Sequence, residues 1–184
     1  MSKSSPSLQF GPDLQEYAVP DQEFLRQHPE YDILCTGVAV FNEEGKLLLV
    51  RRAKDELAFP NAWEVPGGKV DDTDDTILHA AARELKEEAG LTATRVVRKV
   101  TQFTFDDGRP GRPNKTWLKL IFEMEVEDLS SITLDPIEHQ DFLFATEEEV
   151  AAERVGGMKL AYVSEANKAV KLEAFRLHGE AATT

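Results

Sequence analysis

Glu84, Glu87 and Glu88 crowd into five consecutive positions of the chain, with Arg83 directly before them and the pair Gly67-Gly68 upstream. On a helix advancing about 100° per residue, the three carboxylates fall within about a quarter-turn of one another. Glu84 and Glu88 are like charges at i,i+4, which destabilise an isolated helix by about a few tenths of a kcal/mol. Arg83 is placed to pair with Glu87 and offsets only part of that cost. Clustered oxygen ligands beside a glycine loop suit Mg²⁺ or Mn²⁺, ions that bridge a few carboxylates to substrate phosphates. The competing reading is a solvated acidic helix face, helped by Arg83 and Lys86.

Positioning such a cluster needs a helix with a buried opposite side. Ile77, Ala81, Ala82, Leu85 and Ala89 supply that stripe on a helix predicted from Thr76 to Ala89. Asp75-Thr76 offers a cap and Gly90 a stop. Upstream, Leu34 to Phe41 and Lys46 to Arg51 read as strands joined through Asn42-Glu43-Glu44-Gly45, a predicted hairpin, and Trp63 to Val65 is a short strand entering Pro66-Gly67-Gly68. Downstream, Val96 to Phe105, Thr116 to Val126 and Phe142 to Phe144 read as strands. Thr146 to Glu149 is a capping box, and a last helix runs from about Ser164 to His178, stopped by Gly179. Clustered strands without regular βαβ alternation predict a mixed α/β (α+β) fold with helices packed on a mixed sheet. Residues 1 to 33 are expected to form an arm lying on a domain that spans 34 to 184.

Arg83-Glu84-Leu85-Lys86-Glu87-Glu88-Ala89-Gly90-Leu91, preceded by Trp63-Glu64-Val65-Pro66-Gly67-Gly68, resembles the signature of the Nudix hydrolase family. That signature is a glycine, five residues, Glu, seven residues, then Arg-Glu-apolar-x-Glu-Glu-x-Gly-apolar. The second half matches completely. In the first half, seven residues back from Arg83 stands Asp75 rather than Glu, and six residues rather than five separate it from Gly68. The extra residue is expected in the loop Lys69 to Asp74, since an insertion inside the helix would rotate its apolar stripe out of the core. Asp75 is then either the counterpart of the family's glutamate, organising the loop and Arg83, or the helix N-cap alone.

The resemblance implies an α/β/α sandwich and metal-dependent hydrolysis of a diphosphate bond, in a nucleoside diphosphate linked to another group. It implies Glu84, Glu87 and Glu88 as Mg²⁺ or Mn²⁺ ligands, with the Gly68 carbonyl as a backbone ligand. Cations are needed because a diphosphate carries charge on every non-bridging oxygen and repels hydroxide. The general base is either a glutamate of the motif or Glu138, in the later segment Ile137-Glu138-His139-Gln140-Asp141.

Composition narrows the partners. The net charge of −13 argues against long nucleic acids held by phosphate neutralisation and for a small phosphorylated metabolite. Between Arg95 and Lys119, however, seven basic residues face two acids. With Arg51, Arg52 and Lys69, this segment is a candidate cationic rim for substrate; the bland reading is a solvated hairpin. Trp63, Phe103, Phe105 and Trp117 are either core packing or a surface on which a base stacks. Cys35 is alone in an apolar run, so an internal disulfide is excluded and a buried thiol in a reducing compartment is expected. No apolar run approaches the ~20 residues of a membrane helix, and the N-terminus lacks an apolar signal region, predicting the cytoplasm or the nucleus.

Leu49-Val50-Arg51-Arg52 followed by Phe59 to Gly68 is most similar to the MutT-like nucleotide group, which favours a (deoxy)nucleoside triphosphate or a small nucleoside diphosphate derivative. The alternatives are a diphosphoinositol polyphosphate hydrolase, suited by the basic segment, and a catalytically silent ligand-sensing or interaction module, suggested by Asp75 and the longer loop.

Overall fold

The computed structural model describes residues 7–108 and 110–183. Its centre is a four-stranded mixed sheet in the order β1-β5-β6-β2, formed by β1 (Gln9–Phe10), β2 (Ile33–Ala39), β5 (Ala93–Asp106) and β6 (Thr116–Val126). β5 and β6 are antiparallel, while β1 joins β5 and β2 joins β6 in parallel. A second, antiparallel sheet orders β4 (Trp63–Glu64), β3 (Leu47–Arg52) and β7 (His139–Ala145). The helices are α1 (Asp21–Gln27), α2 (Ile77–Ala89), α3 (Glu147–Ala152) and α4 (Glu165–Ala182).

Strand alternation sorts the core into two layers. On β6, Leu118, Leu120, Phe122 and Met124 pack with Ile77, Leu78, Ala81, Leu85 and Ala89 of α2. Leu14, Tyr17 and Phe24 of the N-terminal segment are buried in the same layer. Ile121 points the other way, into a layer shared with Leu47, Leu49, Trp63, Val150, Val170, Ala174 and Phe175. The result is an α/β/α sandwich with α2 on one side and α4 on the other, and the smaller sheet contributes Leu48 to the first layer and Leu47 and Leu49 to the second.

Most expected elements are present, with three corrections. The predicted hairpin over Asn42 to Gly45 turns the chain, but among the described residues its pairing stops at Phe41 and Leu47; β2 then pairs with β6, and β3 with β4 and β7, so the two enter different sheets. Gly179 does not stop the last helix, which begins after the Ser164 cap and continues to Ala182. The helix predicted from Thr76 begins at Ile77, with the Thr76 hydroxyl accepting from the His79 amide, so Thr76 rather than Asp75 is the cap. The capping box at Thr146 and Glu149 forms as expected, and Cys35 is a buried free thiol whose pKa burial pushes up to about 11. Among the described residues, no helix is long and apolar enough to cross a membrane.

Candidate active site

The glycine loop lies along the free edge of β2. Val38 donates its amide to the Pro66 carbonyl at 2.7 Å, Thr36 to the Gly68 carbonyl at 2.8 Å, and Val70 to the Leu34 carbonyl at 3.0 Å. A side chain at Gly67 would place its Cβ 2.1 Å from the Thr36 carbonyl oxygen, so only glycine permits this approach. At Gly68 a Cβ would fall 2.5 Å from the Glu84 carboxylate, which occupies that space instead. The Gly68 carbonyl, expected as a backbone ligand, is engaged by the Thr36 amide and, at 3.4 Å, by its hydroxyl.

α2 presents the motif's charged side chains to this loop. Glu88 is 5% exposed and accepts a 2.8 Å bond from the Gly67 amide. Burial pushes its carboxyl up to about 9, helped by the charges of Glu64, Glu138 and Glu84 and opposed by the Gly67 bond. Glu84, half-buried, is also raised, first by burial, against the pull of Arg83. Glu87 is exposed and bound to Arg83 Nη1 at 3.0 Å. The structure therefore gathers Glu84, Glu88 and Glu138 and leaves Glu87 toward solvent beside Arg83.

Arg83 organises the loop through Asp74, not Asp75. Its Nε and Nη2 each donate to an Asp74 carboxylate oxygen at 2.8 Å, and Nη2 also reaches the Lys69 carbonyl at 3.1 Å. Nη1 bonds Glu84 at 2.9 Å. Asp75 is exposed and holds neither role assigned to it. The extra residue accordingly lies between Asp74 and the helix start, so the loop keeps its spacing from Gly68 and α2 keeps its stripe.

A buried polar chain supports the centre from the second sheet. Glu64 accepts from Arg52 Nη1 and from His139 Nε2, both at 3.1 Å. Burial alone would raise the Glu64 carboxyl, but the His139 bond and the charges of Lys119 and Arg52 bring it below its ordinary value. Arg52 is further held by Glu56 and the Ala58 carbonyl, and Arg51 lies against the Trp63 ring and the Asn61 carbonyl.

Glu88, Glu138 and His139 each offer a ligand atom within 4.8 Å of the others. His139 Nδ1 is buried without a partner among the described residues. An oxygen-rich set whose most buried acid, Glu88, has no ion partner among the described residues fits a hard divalent cation.

Two cavities flank the centre. One, of about 600 Å³, is lined by Arg52, Glu64, Phe103, Phe105, Trp117, Lys119 and Asn167 among others. Its Phe105 and Trp117 rings stack at 5.6 Å and 19°. The other, of about 510 Å³, is lined by Ile33, Lys69, Asp107, Arg112, Pro113, Lys115 and Trp117. Of the basic segment, Arg95 and Arg98 are instead paired with Glu125 and Glu123, Lys99 lies over the Tyr17 ring, and Arg109 is outside the described residues. Sequence reasoning missed Asp74, Glu64 and His139 as site residues and placed Lys119 only within the basic segment read as a candidate cationic rim. The alternation of Trp117 and Lys119 on β6 was the available signal for the last of these, since both project from one face.

A sandwich that sets a glycine loop against an acid-rich helix defines a hydrolase of phosphoanhydrides. The chain belongs to the Nudix hydrolase family: the model of the NUDIX domain matches residues 33–163. An uncharacterized Nudix hydrolase of Listeria innocua is 32% identical over 130 residues, 70% of this chain and 72% of that protein. The RNA pyrophosphohydrolase of Bartonella tribocorum is 34% identical over 77 residues, 40% of this chain and 44% of that protein. In fold, the MutT protein of Methanosarcina mazei Go1 matches with a TM-score of 0.61 at 23% identity, covering 80% of this chain and 94% of that one.

Proposed function

We propose that this Nudix pyrophosphohydrolase cleaves a diphosphate bond in a small nucleoside diphosphate derivative or a (deoxy)nucleoside triphosphate, using Mg²⁺ or Mn²⁺ held by Glu84, Glu88 and Glu138 with Glu87 at the rim. The observation that carries the reading is the aromatic cavity lined in part by Glu64, whose partner His139 is grouped with Glu88 and Glu138. The stacked Phe105 and Trp117 offer a flat face for a base. Lys119 lines that cavity and lies near enough to Glu64 and Cys35 to shift both, so it supplies positive charge between base and carboxylates.

When bound, the cation neutralises the diphosphate and polarises the water and phosphorus centres. The chain's own residues do the rest. Gly67 and Arg83 hold Glu88 and Glu84 in place, and a carboxylate, Glu138 or one of the motif, takes the proton of the attacking water. Its oxygen bonds to one phosphorus, the bridging P–O bond breaks, and the departing phosphate keeps the electron pair. The net charge of −13 favours a small phosphorylated substrate over a long nucleic acid, although RNA pyrophosphohydrolases are among the relatives. The complete set of glutamates, with Asp74 on Arg83, favours an active enzyme over a silent module.

The test is a panel of nucleoside triphosphates, dinucleotides, nucleotide sugars and inositol pyrophosphates incubated with Mg²⁺ or Mn²⁺, with products separated chromatographically. Release of a nucleoside monophosphate from one group supports the proposal. Cleavage of inositol pyrophosphates alone, or of nothing, contradicts it.

A further inference from the structure

We infer that the cleft between Lys69, Arg112 and Lys115 is a second anion subsite, which takes phosphate groups of the substrate beyond the anhydride being cleaved. The inference rests on the hydrolase reading above and extends it to a substrate class, a polyphosphorylated small molecule.

Four observations converge. In a chain of net charge −13, three cations line one cleft of about 510 Å³, and none of them has a carboxylate ion partner among the described residues. Asp107 is the single acid in the lining, and one of its oxygens is already turned to the Lys115 backbone amide at 3.4 Å. The cleft adjoins the reaction centre: Lys69 follows Gly68, whose Cα faces Glu84, and its carbonyl is held by Arg83. Trp117 and Asp107 line both cavities, so Trp117 is a shared wall, and its Nε1 is a buried donor without a partner among the described residues.

Strand register explains the alignment. Cys35 is bridged to Lys69 on one side and paired with Lys119 on the other, while Ile33 pairs with Trp117. Residues opposite one another on paired strands project from the same face. One sheet face therefore carries, in sequence across it, a cation beside the glycine loop, a buried thiol, a second cation, and then Phe103. A molecule with its base on Phe105 and Trp117 and its scissile bond at the carboxylates has the cationic cleft on the far side of the indole. Unpaired Arg and Lys there recognise multiply charged phosphate and give strong, salt-sensitive attraction.

The shared chemistry is two or more phosphate groups, borne either on a linear chain or around a ring, and two probes distinguish these. Binding of inorganic tripolyphosphate and of inositol hexakisphosphate to the full chain is measured by calorimetry without metal, for the wild type and for the exposed-site double variant Arg112→Ala/Lys115→Ala. We expect at least one probe to bind the wild type and to lose tenfold or more in the double variant. The tighter probe identifies a linear or a ring-borne source. A parallel kinetic arm compares KM for a dinucleoside tetraphosphate with KM for a nucleotide sugar, and the ratio is expected to rise tenfold or more in the variant. Equal binding of both probes by wild type and variant, or no binding of either, overturns the subsite. If no substrate is hydrolysed but probe binding is lost in the variant, the hydrolase reading fails and the anion site stands.

Discussion

Asp74 and Arg83 form a two-point ion pair, with Nε to Oδ1 and Nη2 to Oδ2 both at 2.8 Å. The Asp74 side chain is 6% exposed, and the same guanidinium also binds Glu84, Glu87 and the Lys69 carbonyl. Asp74→Asn removes the charge and one of the two acceptors, so it is expected to cost about 2 kcal/mol of stability. Turnover should fall by about tenfold or more, because Glu84 and the loop lose their common anchor. Asp75→Asn and Asp75→Ala, at an exposed position, should change stability by less than about 0.5 kcal/mol and leave turnover intact. Denaturant melts and steady-state rates on the three variants check this.

Glu88 sets a pH dependence in the metal-free protein. Its folded pKa of about 9 lies above the ordinary carboxyl value of 4.5, so the folded state binds the proton more tightly than the unfolded chain. This contribution to stability is complete below about pH 4.5 and declines as pH rises toward 9. Thermal melts in chelator should therefore show a falling trend between the ordinary Glu88 value of 4.5 and the Lys171 value of about 7, below the window in which Lys171 opposes it, and that trend should be flatter in Glu88→Gln. Added Mn²⁺ should raise the wild-type melting temperature, more so at higher pH, because the proton must leave first.

Lys171 works in the opposite sense. It is 1% exposed, donates to the Asn167 carbonyl at 2.8 Å and lies 4.4 Å from the Tyr162 ring centre. Burial, with Lys119 adding to it and Glu64 opposing, lowers its pKa from 10.5 to about 7. Between those values the unfolded chain binds more protons, so stability rises with pH across that window. Lys171→Met should be neutral or stabilising near pH 6, and its advantage over wild type should shrink by pH 10. Melts at the two pH values decide it.

The bond between Glu64 and His139 joins β4 and β7, the two outer strands of the second sheet, next to the reaction centre. Glu64 is the buried acceptor for both Arg52 and His139, and a hydrogen bond to a charged group carries more than a neutral one, so Glu64→Gln is expected to cost about 2 kcal/mol. His139→Phe should also destabilise, and the double variant should fall short of the sum by about 1 kcal/mol or more. A double-mutant cycle in urea reads that coupling.

What the sequence disclosed follows the range of the interactions involved. α2 was legible from its stripe at Ile77, Ala81, Leu85 and Ala89 and from the stop at Gly90, because helix period and caps are local. The Thr146 capping box was legible for the same reason. Asp74 was not separable from Asp75, since the choice depends on the path of the loop between Gly68 and α2. The partition of β2 and β3 into different sheets and the meeting of Glu64 with His139, 75 positions apart, are set by packing and register. Gly179 misled because a glycine near a helix end is tolerated when the helix is anchored elsewhere, here by Val170, Ala174 and Phe175 in the core.

The central claim is that the buried acid Glu88 serves a cation-dependent cleavage of phosphoanhydrides. Its most direct test is the turnover of wild type and Glu88→Gln on one accepted substrate in saturating Mg²⁺ and in excess chelator, with melting curves from the same preparations. The account predicts wild-type turnover in Mg²⁺ alone and a loss of about a hundredfold or more in a fully folded Glu88→Gln. Turnover that survives the chelator, or a Glu88→Gln enzyme as fast as wild type, would contradict it.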